Sequence, residues 1–213
     1  KNFNYLFMRK ILSVLVVFMI SFLSNAQAKK YVTFQAEIAN RNGDSVFIRA
    51  NKKIIKKIAV NKNGVFKDTM NVSEGPYLLY DGVEYTSLYL KNGYDLKLKM
   101  DAKKFDESIV YTGKGSLENN YLAQRTISDS KYDYDALLAA SPADFKKLSD
   151  QKNAADLAKL NNGKFDSNFI TVQKKDIEQS LAGLTKYYEQ GQENKKMNNS
   201  QSPTFDYLNY AGG

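Results

Sequence analysis

Between residues 31 and 113 the chain alternates. In YVTFQAEIAN, Val32, Phe34, Ala36 and Ile38 take every second position, with polar residues between them. A period of two sets those four side chains on one face of a strand and turns the others to water, a pattern a helix cannot use. Runs of the same kind, rich in β-branched and aromatic residues, follow at 45–50, 54–60, 64–72, 76–82, 84–91, 94–100 and 108–113. The breaks are short. Asn42-Gly43, Asn63-Gly64 and Asn92-Gly93 are dipeptides that accept a positive φ, and they are read as tight hairpin turns. Seven or eight short strands at this spacing predict an antiparallel β-sandwich or barrel-like sheet over residues 29–115.

After Gly115 the period becomes helical. Leu117, Tyr121 and Leu122, then Leu137 and Leu138 beyond the polar stretch SDSKYDY, fit one or two helices, with Ser116 as cap and Glu118 near the positive end of the dipole. Ser141-Pro142 is the cap and first residue of another helix, which places Phe145, Leu148, Ala155, Leu157 and Leu160 near one face and stops at Asn161-Asn162-Gly163. A third runs from about Asp166 through Phe169, Ile170, Ile177, Leu181, Leu184 and Tyr188 to Gly191. The fold class is therefore α+β, a sandwich followed by a three-helix segment at 116–191. Residues 192–202 (QENKKMNNSQS) lack apolar content and periodicity, which reads as a linker, and 203–213 reads as the start of a further domain.

Composition removes whole classes of chemistry. There is no cysteine and no histidine, so no thiol nucleophile, no Ser-His dyad and no zinc site of the usual kinds can be built from these residues. Loop motifs do not fill the gap. NKNGVF lacks the charged and bidentate ligands of a calcium loop. Gly113 and Gly115 have the G-x-G spacing of a phosphate cradle, but without the third glycine or a surrounding βαβ unit they are read as turning a strand into a helix. The site expectations are accordingly no catalytic, cofactor-binding or metal-binding residue, and no cofactor.

Residues 8–28 read as a secretory signal: Arg9-Lys10, an apolar run of about 13 residues at 11–23, and the small-x-small pattern Ala26-Gln27-Ala28, with cleavage placed after Ala28. Spanning a bilayer takes roughly 20 apolar residues, so no stable membrane anchor is expected. Residues 1–7 are read as lying upstream of the signal. Loss of Lys1, Arg9 and Lys10 lowers the formal charge from +8 to +5. The remaining lysines are scattered through strands and helices rather than gathered on one face, so no nucleic-acid partner is expected.

Together these segments resemble a known family. The export signal, the NGVF and LKNGYDLKLKMD turns, the YTGKGSLENNYL strand-to-helix junction, the lysine-rich helices and the closing SPTFDYLNYAGG are similar to the amino-terminal half of envelope thiol-disulfide oxidoreductases of the TlpA-like, thioredoxin-fold family. Pro203, Phe205, Tyr207 and Gly212-Gly213 match the entry to the thioredoxin domain. The resemblance implies a Trp-Cys-x-x-Cys some tens of residues beyond Gly213, a periplasmic location, and a parent that reduces or isomerises disulfides of exported proteins through an attacking and a resolving cysteine. This chain is then the accessory part, serving substrate recognition, homodimerisation or positioning of the redox domain. Exported protein substrates or a redox partner would be met through that domain. A rival reading is a stand-alone secreted protein that grips glycan or peptide through Tyr77, Tyr80, Tyr85, Tyr89 and Tyr94, dense in the central strands.

Overall fold

The structure, a computed structural model, describes residues 29–197. The signal read at 8–28 and the domain entry read at 203–213 lie outside the described residues. Eight strands form: β1 (Val32–Ala39), β2 (Ser45–Ala50), β3 (Lys53–Ala59), β4 (Val65–Met70), β5 (Gly75–Tyr80), β6 (Tyr85–Leu90), β7 (Asp95–Asp101) and β8 (Val110–Lys114). They make two four-stranded sheets, ordered β4-β1-β7-β8 and β3-β2-β5-β6. The alternation does what its period dictates. Val32, Phe34, Ala36 and Ile38 are buried, and with Leu96, Leu98 and Met100 they meet Val46, Ile48, Leu79, Leu88 and Leu90 of the other sheet in one core.

The expected all-antiparallel arrangement needs correction. Strand β1 pairs antiparallel with β4 but parallel with β7, in register from Thr33↔Asp95 to Ala39↔Asp101. Turn chemistry reports only on strands adjacent in sequence, and β1 and β7 are distant, so nothing local encodes their direction.

The Asn-Gly dipeptides also serve differently from the hairpin reading. All three lie where the chain crosses from one sheet to the other: β1 to β2, β3 to β4 and β6 to β7. At the second, Asn61 Oδ1 accepts from Asn63 N (2.9 Å) and Val65 N (3.1 Å), Gly64 takes φ 77°, and a lone Val60↔Phe66 bridge forms before the strands part. At the first, the positive φ falls on Asn40 (51°) instead. The tight in-sheet turn between β2 and β3 is made by Asn51 and Lys52, with φ 48° and 63° and no glycine.

After β7, Asp101 caps a short 3₁₀ turn (Ala102–Lys104), and α1 (Phe105–Ser108) gives one turn before β8. Four more helices follow: α2 (Ser116–Ser130), α3 (Tyr134–Ala139), α4 (Pro142–Asn162) and α5 (Ser167–Met197). The helices thus number five among the described residues rather than three. The last runs through Gly191 to Met197, so the first six residues of the expected linker are helical. Ser141 caps α4 as read, accepting from Asp144 N, with Pro142 opening the helix. Ser116 does not cap α2. The N-cap is Gly115 in the left-handed region (φ 98°), and a Cβ there would come within 2.2 Å of the Tyr94 ring. Gly113 is held likewise, because a Cβ would meet the Asp95 carbonyl at 2.1 Å. Both glycines are therefore structural, as the missing third glycine suggested.

Two apolar stripes also differ from their sequence reading. On α2 the buried residues are Glu118, Asn119, Leu122 and Ala123, whereas Leu117 faces solvent. On α4 the buried row is Phe145, Ser149, Asp156 and Leu160, while Leu148 and Ala155 are exposed. The α5 stripe holds: Phe169, Ile177 and Tyr188 are buried, with Ile170, Leu181 and Leu184 half-buried. Leu122, Ala123, Leu160, Phe169 and Ile177 join the same core as the sheets, so the helices pack on the sandwich as one body.

Candidate binding face and helix cleft

The helices reach the sandwich at its open edge. Strands β6 and β8 are the last strands of their sheets, and their outward backbone groups need partners. Two adjacent residues of α2 supply them. Asn119, fully buried, accepts from Tyr89 N (2.9 Å) and donates to Tyr89 O (3.0 Å), as a neighbouring strand would. Asn120 does the same for Tyr111 N (2.8 Å) and O (2.9 Å). One carboxamide thus closes each sheet.

A polar network fastens the helices beside this clasp. Tyr89 donates its hydroxyl proton to Glu74 (2.7 Å) and accepts from Asn168 Nδ2 (3.0 Å), while its ring meets Phe169 edge-on at 5.0 Å. Burial pushes the Tyr89 phenol far up, and the Glu74 carboxylate adds to the effect. Lys91 bridges Glu74 (3.3 Å) and Asp166 (2.7 Å), and its bond holds the Asp166 carboxyl below the ordinary range. Glu118, read as a dipole partner, instead accepts from the backbone N of Asp166 at 3.3 Å. Tyr94 is buried against Gly115, and desolvation raises its pKa, with Glu118 next. These bonds cover the outer face of the second sheet only at its Tyr89 end.

The rest of that face is open. Strand pairing sets Lys57, Phe47, Tyr80 and Tyr85 side by side across all four strands, and Ile54, Arg49, Leu78 and Ser87 in the next rung. Tyr85 is 48% exposed, Leu78 41% and Ile54 59%. The rings do not lie flat on the sheet. Tyr80 and Tyr85 stack on each other at 4.4 Å with planes 20° apart, and Phe47 leans on Tyr80 at 6.0 Å. Arg49 lies over both tyrosines (5.9 and 5.6 Å) and donates from Nη1 to the Tyr85 hydroxyl at 2.8 Å, while Lys57 Nζ sits 5.8 Å over Phe47.

Of the five tyrosines read from sequence, then, Tyr80 and Tyr85 reach this face. Tyr89 and Tyr94 are buried, and Tyr77 is half-buried with its hydroxyl on Ser73 O (2.8 Å). Sequence reasoning did not single out Phe47, Arg49 and Lys57. Their signal was available, since Phe47 and Arg49 are the polar-face positions of SVFIRA, one apolar where water was expected.

A second concavity, about 310 Å³, lies between α2, α4 and α5. Its apolar wall is Ile177, Leu181 and Leu184, and its charged wall is Arg125, Asp129, Lys152 and Asp156. The charges answer one another. Lys152 reaches Asp129 and Asp156, both at 2.7 Å, and Arg125 reaches Asp176 at 2.6 Å. Burial opposes the Lys152 charge, but the two aspartates outweigh it and raise its pKa. The cluster binds helix to helix.

Among the described residues no group of three or more acidic, histidine or cysteine side chains could hold a metal ion, and no helix is long and apolar enough to cross a membrane. Compared with protein-family models, with curated proteins and with solved structures, the chain matches none.

Proposed function

We propose that residues 31–197 are a non-catalytic recognition unit of an exported thiol-disulfide oxidoreductase, and that the open face of the second sheet holds a segment of its polypeptide partner. The chain has no thiol, so thiol-disulfide exchange takes place on cysteines carried elsewhere in the protein. The observation that carries the recognition role is the Phe47-Tyr80-Tyr85 row, half-buried at Phe47 and Tyr80 and exposed at Tyr85, with exposed Leu78 and Ile54 beside it, an aromatic and aliphatic surface that the helices leave uncovered. The same geometry counts against a sugar platform. A sugar ring stacks on a broad free aromatic face, but Tyr80 and Tyr85 each spend one face on the other, Phe47 leans on Tyr80 and Arg49 sits beside the pair, which leaves less flat ring surface for a sugar.

The test uses the full-length protein. Its reading frame past Gly213 carries a Trp-Cys-x-x-Cys within several dozen codons; without one, the oxidoreductase assignment falls. With that motif in place, Tyr80→Ser/Tyr85→Ser raises KM for reduction of a disulfide-bonded protein such as insulin and leaves the rate with a small aromatic disulfide unchanged. Equal loss on both substrates, or on neither, removes the recognition role.

A further inference from the structure

The two cations of the open face, Arg49 and Lys57, sit against aromatic rings. Among the described residues neither Arg49 nor Lys57 forms a salt bridge. The two rungs they belong to, Lys57-Phe47-Tyr80-Tyr85 and Ile54-Arg49-Leu78-Ser87, contain no carboxylate. Each cation is also fixed in place by what lies beneath it. The Arg49 guanidinium rests on the Tyr80 and Tyr85 rings, with one N–H committed to the Tyr85 hydroxyl. Four of its five donors remain, in the rigid fork that fits a carboxylate with two parallel bonds. Lys57 is placed over Phe47.

We infer that this face is a receptor for an extended acidic polypeptide segment, Arg49 clamping one carboxylate and Lys57 a second, with the aromatic row beneath the chain between them. The inference rests on the recognition role proposed above and names the chemistry of the segment recognised. Charge complementarity selects the occupant, since two unpaired cations in rungs without acids attract anions and repel basic chains. Stacking selects the mode. A guanidinium already immobilised over rings loses little freedom on gripping its ligand, so the contact is preorganised. Geometry sets the spacing. Lys57 lies over β2, and Arg49 lies over the β5–β6 boundary, one and a half strand spacings or roughly 7 Å away at about 4.8 Å per strand, which is about two residues of extended chain and leaves both carboxylates on the same side of it.

The experiment titrates the full-length protein, by fluorescence anisotropy, with three labelled peptides of about twelve residues: Glu at every second position with Ser and Tyr between, the same peptide with Lys for Glu, and the same with Gln. The acidic peptide binds, weakens as salt is raised, and loses roughly tenfold to a hundredfold in affinity on Arg49→Gln, the range for bonds to a charged group. Arg49→Lys keeps the charge but not the fork and recovers only part of that loss, and Lys57→Gln gives a smaller one. Far-UV circular dichroism of each variant confirms that the fold is retained. If the Gln peptide binds as tightly as the Glu peptide and both lose affinity in Tyr80→Ser/Tyr85→Ser, the acidic chemistry is overturned while the recognition face stands. If no peptide binds, or the Lys peptide binds best, both are overturned. A sulfated polysaccharide that binds where the Glu peptide does not would replace the polypeptide occupant and overturn the inference.

Discussion

Replacing Asn119 with alanine tests the clasp that joins the helices to the sandwich. The side chain is fully buried and makes three bonds, to Tyr89 N, Tyr89 O and Gly115 O. Gly115 O keeps a partner in the Asn119 backbone N–H, but both Tyr89 groups lose theirs. Each buried group left unpaired costs about 1–3 kcal/mol, so the expected loss is about 3 kcal/mol in total. With a urea m-value of about 2 kcal/mol/M for a chain of this size, the midpoint falls by about 1.5 M. Equilibrium unfolding followed by circular dichroism and tyrosine emission measures it, tyrosine because the chain has no tryptophan. Asn120→Ala provides the internal control. Its side chain is partly exposed, so water replaces some of the Tyr111 bonds and about 1 kcal/mol is lost. Asn119→Asp discriminates further, because a carboxylate there faces the carbonyls of Tyr89 and Gly115 and costs more than alanine until acid protonates it. A midpoint shift under about 0.5 M for Asn119→Ala, or one no larger than that of Asn120→Ala, refutes the clasp as the main closure of β6.

Three further outcomes follow from the same packing. Gly113→Ala destabilises more than Gly115→Ala, and both more than Gly64→Ala, because the new Cβ meets a backbone carbonyl in the first, a side-chain ring in the second and open space in the third; thermal midpoints give the order. Asp166 has a depressed pKa from its Lys91 bond, so its contribution is present above about pH 4, the unfolded value, and is lost as pH falls through the folded one; Asp166→Asn therefore flattens the acid limb of a midpoint-versus-pH profile and leaves its alkaline limb unchanged. Phe145 stacks on Tyr188 at 3.8 Å in a small cluster with Leu137, apart from the main core; Phe145→Ala costs about 3 kcal/mol, and hydrogen exchange speeds up in α3 and the later turns of α5 while β1 and β7 stay protected.

Which parts of the fold could be read in advance follows from how far apart the cooperating residues are. Alternation in β1 and the α5 stripe are carried by neighbours one to four positions away, and both are borne out. The parallel β1–β7 pairing depends on which strands meet after about sixty intervening residues, for which no local chemistry exists. The Asn-Gly dipeptides show the same division. Their positive φ is legible, as at Gly64 and Gly93, but whether the reversed chain pairs with its predecessor or passes to the other sheet is decided by the core. The helix faces of α2 and α4 were misassigned for a related reason. Leu117 and Leu148 look like core residues on hydropathy alone, but α2 lies along two strand edges whose amide and carbonyl groups call for Asn119 and Asn120, and α4 turns Asp156 inward, where Lys152 neutralises it.

The candidate face was half visible for the same physical reason. A dense run of tyrosines can be counted in a sequence, but its function depends on which rings keep a free surface, and that is a property of cross-strand neighbours. Tyr80 and Tyr85 are five positions apart, yet the β5–β6 turn sets them directly opposite, where two rings at 4.4 Å stabilise each other instead of waiting for a ligand. The third ring and both cations come from β2 and β3, more than twenty residues earlier, and only the β2–β5 pairing brings Arg49 above the pair. The stack that takes up one face of each tyrosine is therefore also what holds Arg49 in place, so the placement of the charge and the charge itself act together. A variant that loosens the stack without removing charge separates these effects. Tyr85→Leu keeps an apolar residue at the position but takes away the hydroxyl and ring that fix Arg49, so affinity for the acidic peptide falls although both cations remain; unchanged affinity would mean that charge alone, and not its placement, is what the face contributes.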